Sequence, residues 1–262
     1  MSHQDHSTNA LSLLNDYLHA LADSGAQEVL LTSEAISKLQ DIANGKSNGD
    51  QSHQDKVLSL NALREKAEKS EEYRSIQTLR DTMVFATGNP DAQIMFIGEA
   101  PGAEEEKQKE PFVGPAGKLL TKVITAMGLS RDDVYISNIV KFRPRIDGPD
   151  QGAKNRKPDN NEIKASIHFI NAEIKIVNPD LIIALGASAM SGLLGLESSV
   201  NSSRGRLHAI GKHQAIVTYH PSFLLRSGSN ADKRKLWEDM LMAMDYLQMP
   251  ISEKQKNYFL VR

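Results

Sequence analysis

The amino-acid sequence predicts an α/β fold: three layers, α/β/α, around a central parallel sheet, with an N-terminal helical extension. Three observations carry that prediction. From residue 84 onward, short apolar runs alternate with amphipathic stretches, the pattern of a parallel sheet covered on both faces. The apolar run 94–97 leads through a loop punctuated by glycine and proline into a segment with Leu119, Leu120, Val123, Ile124 and Met127 on one helical face. The 262 residues, 40% hydrophobic and 24% charged, are enough for one core plus an appendage.

Taken in order, Leu11, Leu14, Leu18 and Leu21 fall at helical spacing with Gly25 as the stop. A second short helix over 33–42 turns Ile36, Leu39 and Ile42 inward. Residues 44–54, rich in Gly, Ser, Asn and Asp, form a flexible connector, and 58–73 a further charged helix. Residues 1–80 thus make the helical extension, and residues 81–262 the main domain. There the predicted strands are 93–97, 134–140, 181–185 and 215–219, and the predicted helices 116–127, 162–176, 187–194 and 231–247. Ile163, Ile167, Ile170 and Ile174 mark the buried stripe of the second of these helices, and Asp159 with Glu162 forms its capping pair. Open α/β sheets place their sites at the carboxyl ends of strands. Glu99, Asn138 and His220 each lie at or just past such an end, so spacing alone brings them to one rim.

Composition narrows the partners. The N-terminal residues are polar and lack the basic-then-apolar plan of a signal peptide. No apolar run approaches the roughly 18 residues of a membrane helix; the cytoplasm and no membrane partner are expected. The absence of cysteine excludes disulfides and thiolate metal sites. A net charge of −2 argues at first against nucleic acid, but the charge is unevenly spread. Residues 1–80 hold 8 Lys and Arg against 12 Asp and Glu, whereas residues 81–262 hold 23 against 21. Residues 198–231 contain no acid but contain Arg204, Arg206, Lys212, Arg226 and three histidines. A local basic face suffices to hold phosphates whatever the total charge.

Three motifs stand at the strand ends. The first is Gly98-Glu99-Ala100-Pro101-Gly102, continued by Glu104, Glu105 and Glu106 and by the stretch from Pro111 and Phe112 to Leu120. The second is Ser137-Asn138-Ile139-Val140-Lys141 with Arg143 and Pro144. The third is His220-Pro221-Ser222-Phe223-Leu224-Leu225-Arg226. Together, and in this order, they resemble the signatures of the uracil-DNA glycosylase superfamily, most closely its iron–sulfur branch, family four. The resemblance runs from about residue 84 to 247.

The resemblance implies a monofunctional hydrolase of base-excision repair that acts on uracil-containing DNA. Such an enzyme extrudes the base, reads its edge, stabilises the leaving anion and places a water. Asn138 corresponds to the uracil reader: its amide matches N3–H and O4, while cytosine offers the opposite polarity. Phe112 corresponds to the stacking platform and His220 to the residue facing uracil O2. Ser222, Phe223, Leu224 and Arg226 belong to the segment that enters the duplex, with Phe223 or Leu224 as wedge and Arg226 on a phosphate. Arg204, from the acid-free stretch 198–231, and Arg143, from residues 141–164 with seven basic against four acidic residues, are expected to extend that DNA surface. Ala100 stands where the best-known branch has a water-orienting aspartate, which leaves Glu99 and Glu105 as catalytic candidates. Either orients water or balances the sugar's positive charge, or Glu105 fills the space beside uracil C5. A glycosylase for other deaminated bases such as hypoxanthine, and a non-catalytic DNA or uracil binder, are the alternative readings.

One departure from the family is plain. Its iron–sulfur branch holds the cluster with four cysteines, and here Phe142 and Ser166 fall at two of those positions, with Glu71 and Arg74 near the other pair. No metal or cofactor is expected, and packing around a buried Phe142 must replace the cluster. The loop 145–157 is long and contains no histidine, so covalent trapping on DNA, as in one unusual branch, is not expected.

Overall fold

A computed structural model describes residues 52–146 and 151–260. The helices expected over residues 11–42, and most of the connector at 44–54, lie outside the described residues. The compact unit that carries the motifs runs from Lys56 onward.

The described residues begin with helices α1 (His53–Glu68) and α2 (Glu71–Ser75), then strands β1 (Leu79–Met83), β2 (Ala86–Gly88) and β3 (Ile94–Gly98). Next come α3 (Ala103–Gln108), α4 (Pro115–Ala126), a 3-10 turn (Arg131–Asp133), β4 (Tyr135–Asn138) and β5 (Phe142–Pro144). Helix α5 (Asn160–Val177) is followed by β6 (Leu181–Leu185), α6 (Ala187–Leu194), α7 (Val200–Ser203), β7 (Leu207–Ile210) and β8 (His213–Thr218). The described residues end with α8 (Pro221–Ser227), α9 (Asn230–Tyr246) and α10 (Glu253–Lys256).

The main sheet has the order β2-β4-β3-β6-β8-β7. Its four inner strands are parallel, whereas β2 and β7 run antiparallel at the edges. All four predicted strands and all four predicted helices of the main domain are present, within a few residues of their expected ends. The sheet differs from the expected one only in its antiparallel edges and in a separate β1-β5 pair. These extra strands are short, and β7 is half-exposed, so none carries the continuous apolar run that marks an inner strand.

Strand alternation divides the core in two. Met95, Ile97, Ile182, Ala184 and Val217 face α5 and α6, whose Phe169, Ile170, Ile174 and Met190 are buried against them. Ile94, Phe96, Leu181, Ile183 and Ile216 face α4 and α9, through Leu120, Ile124, Trp237 and Met240. A strand buried on both faces needs a helix layer on each side, which is the three-layer arrangement. The capping box of α5 forms as its sequence dictates. Asp159 accepts from the backbone N–H of Glu162 (2.9 Å), and the Glu162 carboxylate accepts from that of Asp159 (2.8 Å).

Candidate active site

The parallel strands place their motifs together because backbone pairing continues past the strand ends. Ile139 N–H donates to Gly98 O and Val140 N–H to Glu99 O, both at 3.0 Å, so the first two motifs leave the sheet side by side. Below them Lys141, fully buried, pairs with the buried carboxylate of Glu173. Its ammonium also donates to the Asn138 carbonyl (2.8 Å) and to Ser137 Oγ (2.6 Å). Burial lowers the Lys141 pKa and raises that of Glu173, while their mutual attraction opposes both shifts. This pair anchors the turn that carries Asn138.

A cavity of about 740 Å³ opens at this rim. Its lining includes Glu99, Ala100, Glu105, Phe112, Asn138, Ser222, Phe223, His220 and Arg226, nine of the twelve residues singled out in the sequence. Asn138 is 2% exposed, and its side-chain oxygen has no hydrogen-bond partner among the described residues. The Phe112 ring lies 5.7 Å from the His220 ring. Both Asn138 and Phe112 close over Gly98: a Cβ there would stand 2.4 Å from Asn138 Oδ1 and 2.5 Å from the Phe112 ring. A side chain at Gly98 would push both of them away.

His220 caps α8, and the cap fixes its protonation. Its Nδ1 accepts the backbone N–H of Ser222 (3.2 Å) and contacts the Ser222 hydroxyl (2.8 Å). A nitrogen that accepts an N–H carries no proton, so the neutral ring bears its proton on Nε2. Desolvation lowers the His220 pKa; Glu99 and Glu105 pull it upward, and Arg226 and Lys157 push it down. The two carboxylates are differently engaged. Glu99 accepts one bond, from Ser188 Oγ (2.8 Å) at the start of α6. Glu105 Oε1 accepts the backbone N–H groups of Val113 (3.1 Å) and Gly114 (2.8 Å).

Three residues expected on the DNA surface are buried or engaged within the protein. Arg143 is 3% exposed, and its guanidinium donates to Glu106, Asn155 and the carbonyls of Gly152 and Lys154. It ties the loop after β5 to Glu106 on α3. Arg204 bonds Asp239 (3.0 Å) and the Lys235 carbonyl, tying α7 to α9. Leu224 is buried in the core at 3% exposure, while Phe223 (37%) and Leu225 (50%) stand outside. The spacing of Pro221 and Leu224, three apart on one face of α8, held the signal that Leu224 points inward. Ser222 is committed to His220. Arg226 is exposed and lines the cavity, joined there by Lys157 and Asn155 from the loop before α5.

The sequence profile of the Uracil DNA glycosylase superfamily matches residues 85–241, a span that holds all three motifs. The chain belongs to that superfamily. It is 43% identical over 171 residues to the type-4 uracil-DNA glycosylase of Thermotoga maritima, covering 64% of this chain and 85% of that protein. It is 36% identical over 190 residues to the type-4 uracil-DNA glycosylase of Sulfurisphaera tokodaii, covering 69% and 81%. The type-4 uracil-DNA glycosylase of Saccharolobus solfataricus matches at 39% over 169 residues, covering 61% and 73%.

This superfamily member does not fit an iron–sulfur cluster. Phe142 and Ser166 are both buried, and Tyr73 neighbours each of them. Aromatic carbon fills this corner. The Tyr73 ring on α2 sits 4.8 Å from Phe142 and stacks on Phe169 at 5.2 Å. The Tyr73 hydroxyl is buried, with the Ser166 side chain and the Lys141 backbone close by, and burial raises its pKa. With no cysteine in the chain, the corner offers no soft ligand. Among the described residues no helix is long and apolar enough to cross a membrane.

Proposed function

We propose that this chain is a uracil-DNA glycosylase that hydrolyses the N-glycosidic bond of deoxyuridine in DNA, releasing uracil and leaving an abasic site for base-excision repair. The observation that carries the reading is the buried, unpartnered amide oxygen of Asn138 in a cavity walled by Phe112 and His220. A buried acceptor without a donor is costly, and uracil N3–H supplies the donor it lacks. The amide N–H then meets O4. Cytosine presents an acceptor at N3 and donors at the 4-amino group, and is refused.

Phe112 stacks on the flipped base, a contact worth ~1–3 kcal/mol. The C1′–N1 bond breaks with its electron pair going to the base, so charge builds on uracil O2. The neutral His220 donates its Nε2–H to that oxygen, placing a dipole where the charge develops. Water forms the new C1′–O bond and gives up a proton. Glu99, fixed through one contact to Ser188, keeps capacity to orient that water and take the proton. Glu105 has its Oε1 committed to two backbone N–H groups and shapes the loop. Arg226 and Lys157 meet the backbone phosphates, and Phe223 or Leu225 enters the stack left by the base.

The test is incubation of the protein with an oligonucleotide containing a single uracil, followed by alkali to cut any abasic site. Cleavage at uracil supports the reading. Cleavage only of a parallel strand carrying hypoxanthine would reassign the substrate. Tight binding with no cleavage of either strand would make the chain a binder.

A further inference from the structure

We propose that Arg131, outside the cavity and absent from all three motifs, is the positioning residue that holds the Phe112 platform at its stacking angle. The inference rests on the reading of Phe112 as the surface on which the base lies. Phe112 has a φ of 55°, in the left-handed region that a bulky side chain avoids. A residue persists there only when its surroundings fix both flanking peptide groups. They do. Arg131, on the turn before β4, donates through Nη2 to the Pro111 carbonyl (2.9 Å) and through Nη1 to the Phe112 carbonyl (3.0 Å). The peptide before Phe112 and the peptide after it are thus held by one planar guanidinium.

The remaining groups lock the two ends of this clamp. Glu110 (3.2 Å) and Thr121 (3.3 Å) accept from the same guanidinium and orient it. On the far side, Glu105 takes the N–H of Val113, the other half of the peptide after Phe112. Helix α4 supplies the floor. A Cβ at Gly117 would lie 1.9 Å from the Phe112 carbonyl group, so the Phe112 backbone rests directly on the helix. Both dihedral angles at Phe112 are therefore set by charge-assisted hydrogen bonds to Arg131 and Glu105. Arginine is needed because its fork reaches two carbonyls at once, whereas a lysine is a single point donor.

The experiment compares Arg131→Met, Arg131→Lys, Phe112→Ala and the double variant Arg131→Met/Phe112→Ala. Three quantities are read: the saturating single-turnover excision rate, affinity for undamaged duplex, and hydrogen exchange at the Val113 and Gly114 amides. Arg131→Met should slow excision about 10-fold or more and speed exchange at both amides, with duplex affinity unchanged. Arg131→Lys should fall between it and the parent. In the Phe112→Ala background the Met substitution should add less than about twofold, because the ring it positions is gone. Two separate slowdowns that multiply would overturn the clamp, as would a normal rate with unchanged exchange. If the parent itself released no uracil, the proposed function would fall, and amide exchange would still decide the clamp.

Discussion

Asn138 and His220 do opposite things with their buried polar atoms, and the difference sets what each variant should do. Asn138 leaves its oxygen without a partner among the described residues, and in the proposed reading uracil N3–H supplies one. Asn138→Asp should therefore gain slow release of cytosine, since a protonated carboxyl donates to N3 and accepts from the 4-amino group. Cytosine release no higher than in the parent would remove Asn138 from the reading role. His220 already has Nδ1 occupied by the Ser222 N–H, and its pKa lies below the usual value near 6.5. Protonation would put a second proton on Nδ1 and break that bond. Excision should hold its plateau at neutral pH and fall as pH drops through a value below 6.5, and the acidic limb should vanish in His220→Gln. A pH–rate profile of both proteins checks this. Among single residues, the motifs made Phe112, Asn138 and His220 legible in sequence. They did not reveal that Arg143 and Arg204 are held by Glu106 and Asp239, 37 and 35 residues away, because sequence displays a charge and not its distant partner.

Elements were legible where burial imposes a pattern. The inner strands β3, β4 and β6 are buried throughout and β8 over its last four residues, and α5 carries its isoleucine stripe and capping box. Edge strands and the short helix α8 have no such constraint, and the inward turn of Leu224 went unread with them. The corner formed by α2, β5 and α5 tests what replaces the family's cluster. Phe142 is 7% exposed and meets Tyr73, which stacks on Phe169. Phe142→Ala should destabilise the protein by about 3–5 kcal/mol in chemical denaturation, the cost of truncating a buried phenylalanine. A variant as stable as the parent would show that the aromatic stack does not brace this corner.

Over the whole molecule the near-even charge balance conceals two exposed cations at the cavity rim, where the proposed DNA track lies. Lys157 and Arg226 are exposed at its mouth, whereas Arg143 and Arg204 are bound internally. Lys157→Ala and Arg226→Ala should each weaken binding to any sequence and flatten its salt slope by about one. Arg143→Ala and Arg204→Ala should instead lower thermal stability and leave the slope alone. Salt titrations of the four variants separate the two groups, and an unchanged slope for Lys157→Ala and Arg226→Ala would move the DNA track elsewhere. The site and the cysteine-free corner together imply uracil excision on a scaffold braced by aromatic packing instead of iron and sulfur. The most direct test is single-turnover excision of uracil from an oligonucleotide by chelator-treated protein, with iron measured in the same sample and Asn138→Ala alongside. Full excision is expected from protein holding no stoichiometric iron, with a rate lower by about 10²–10³ in the variant. Excision that requires bound iron, or an Asn138→Ala protein as fast as the parent, would contradict this expectation.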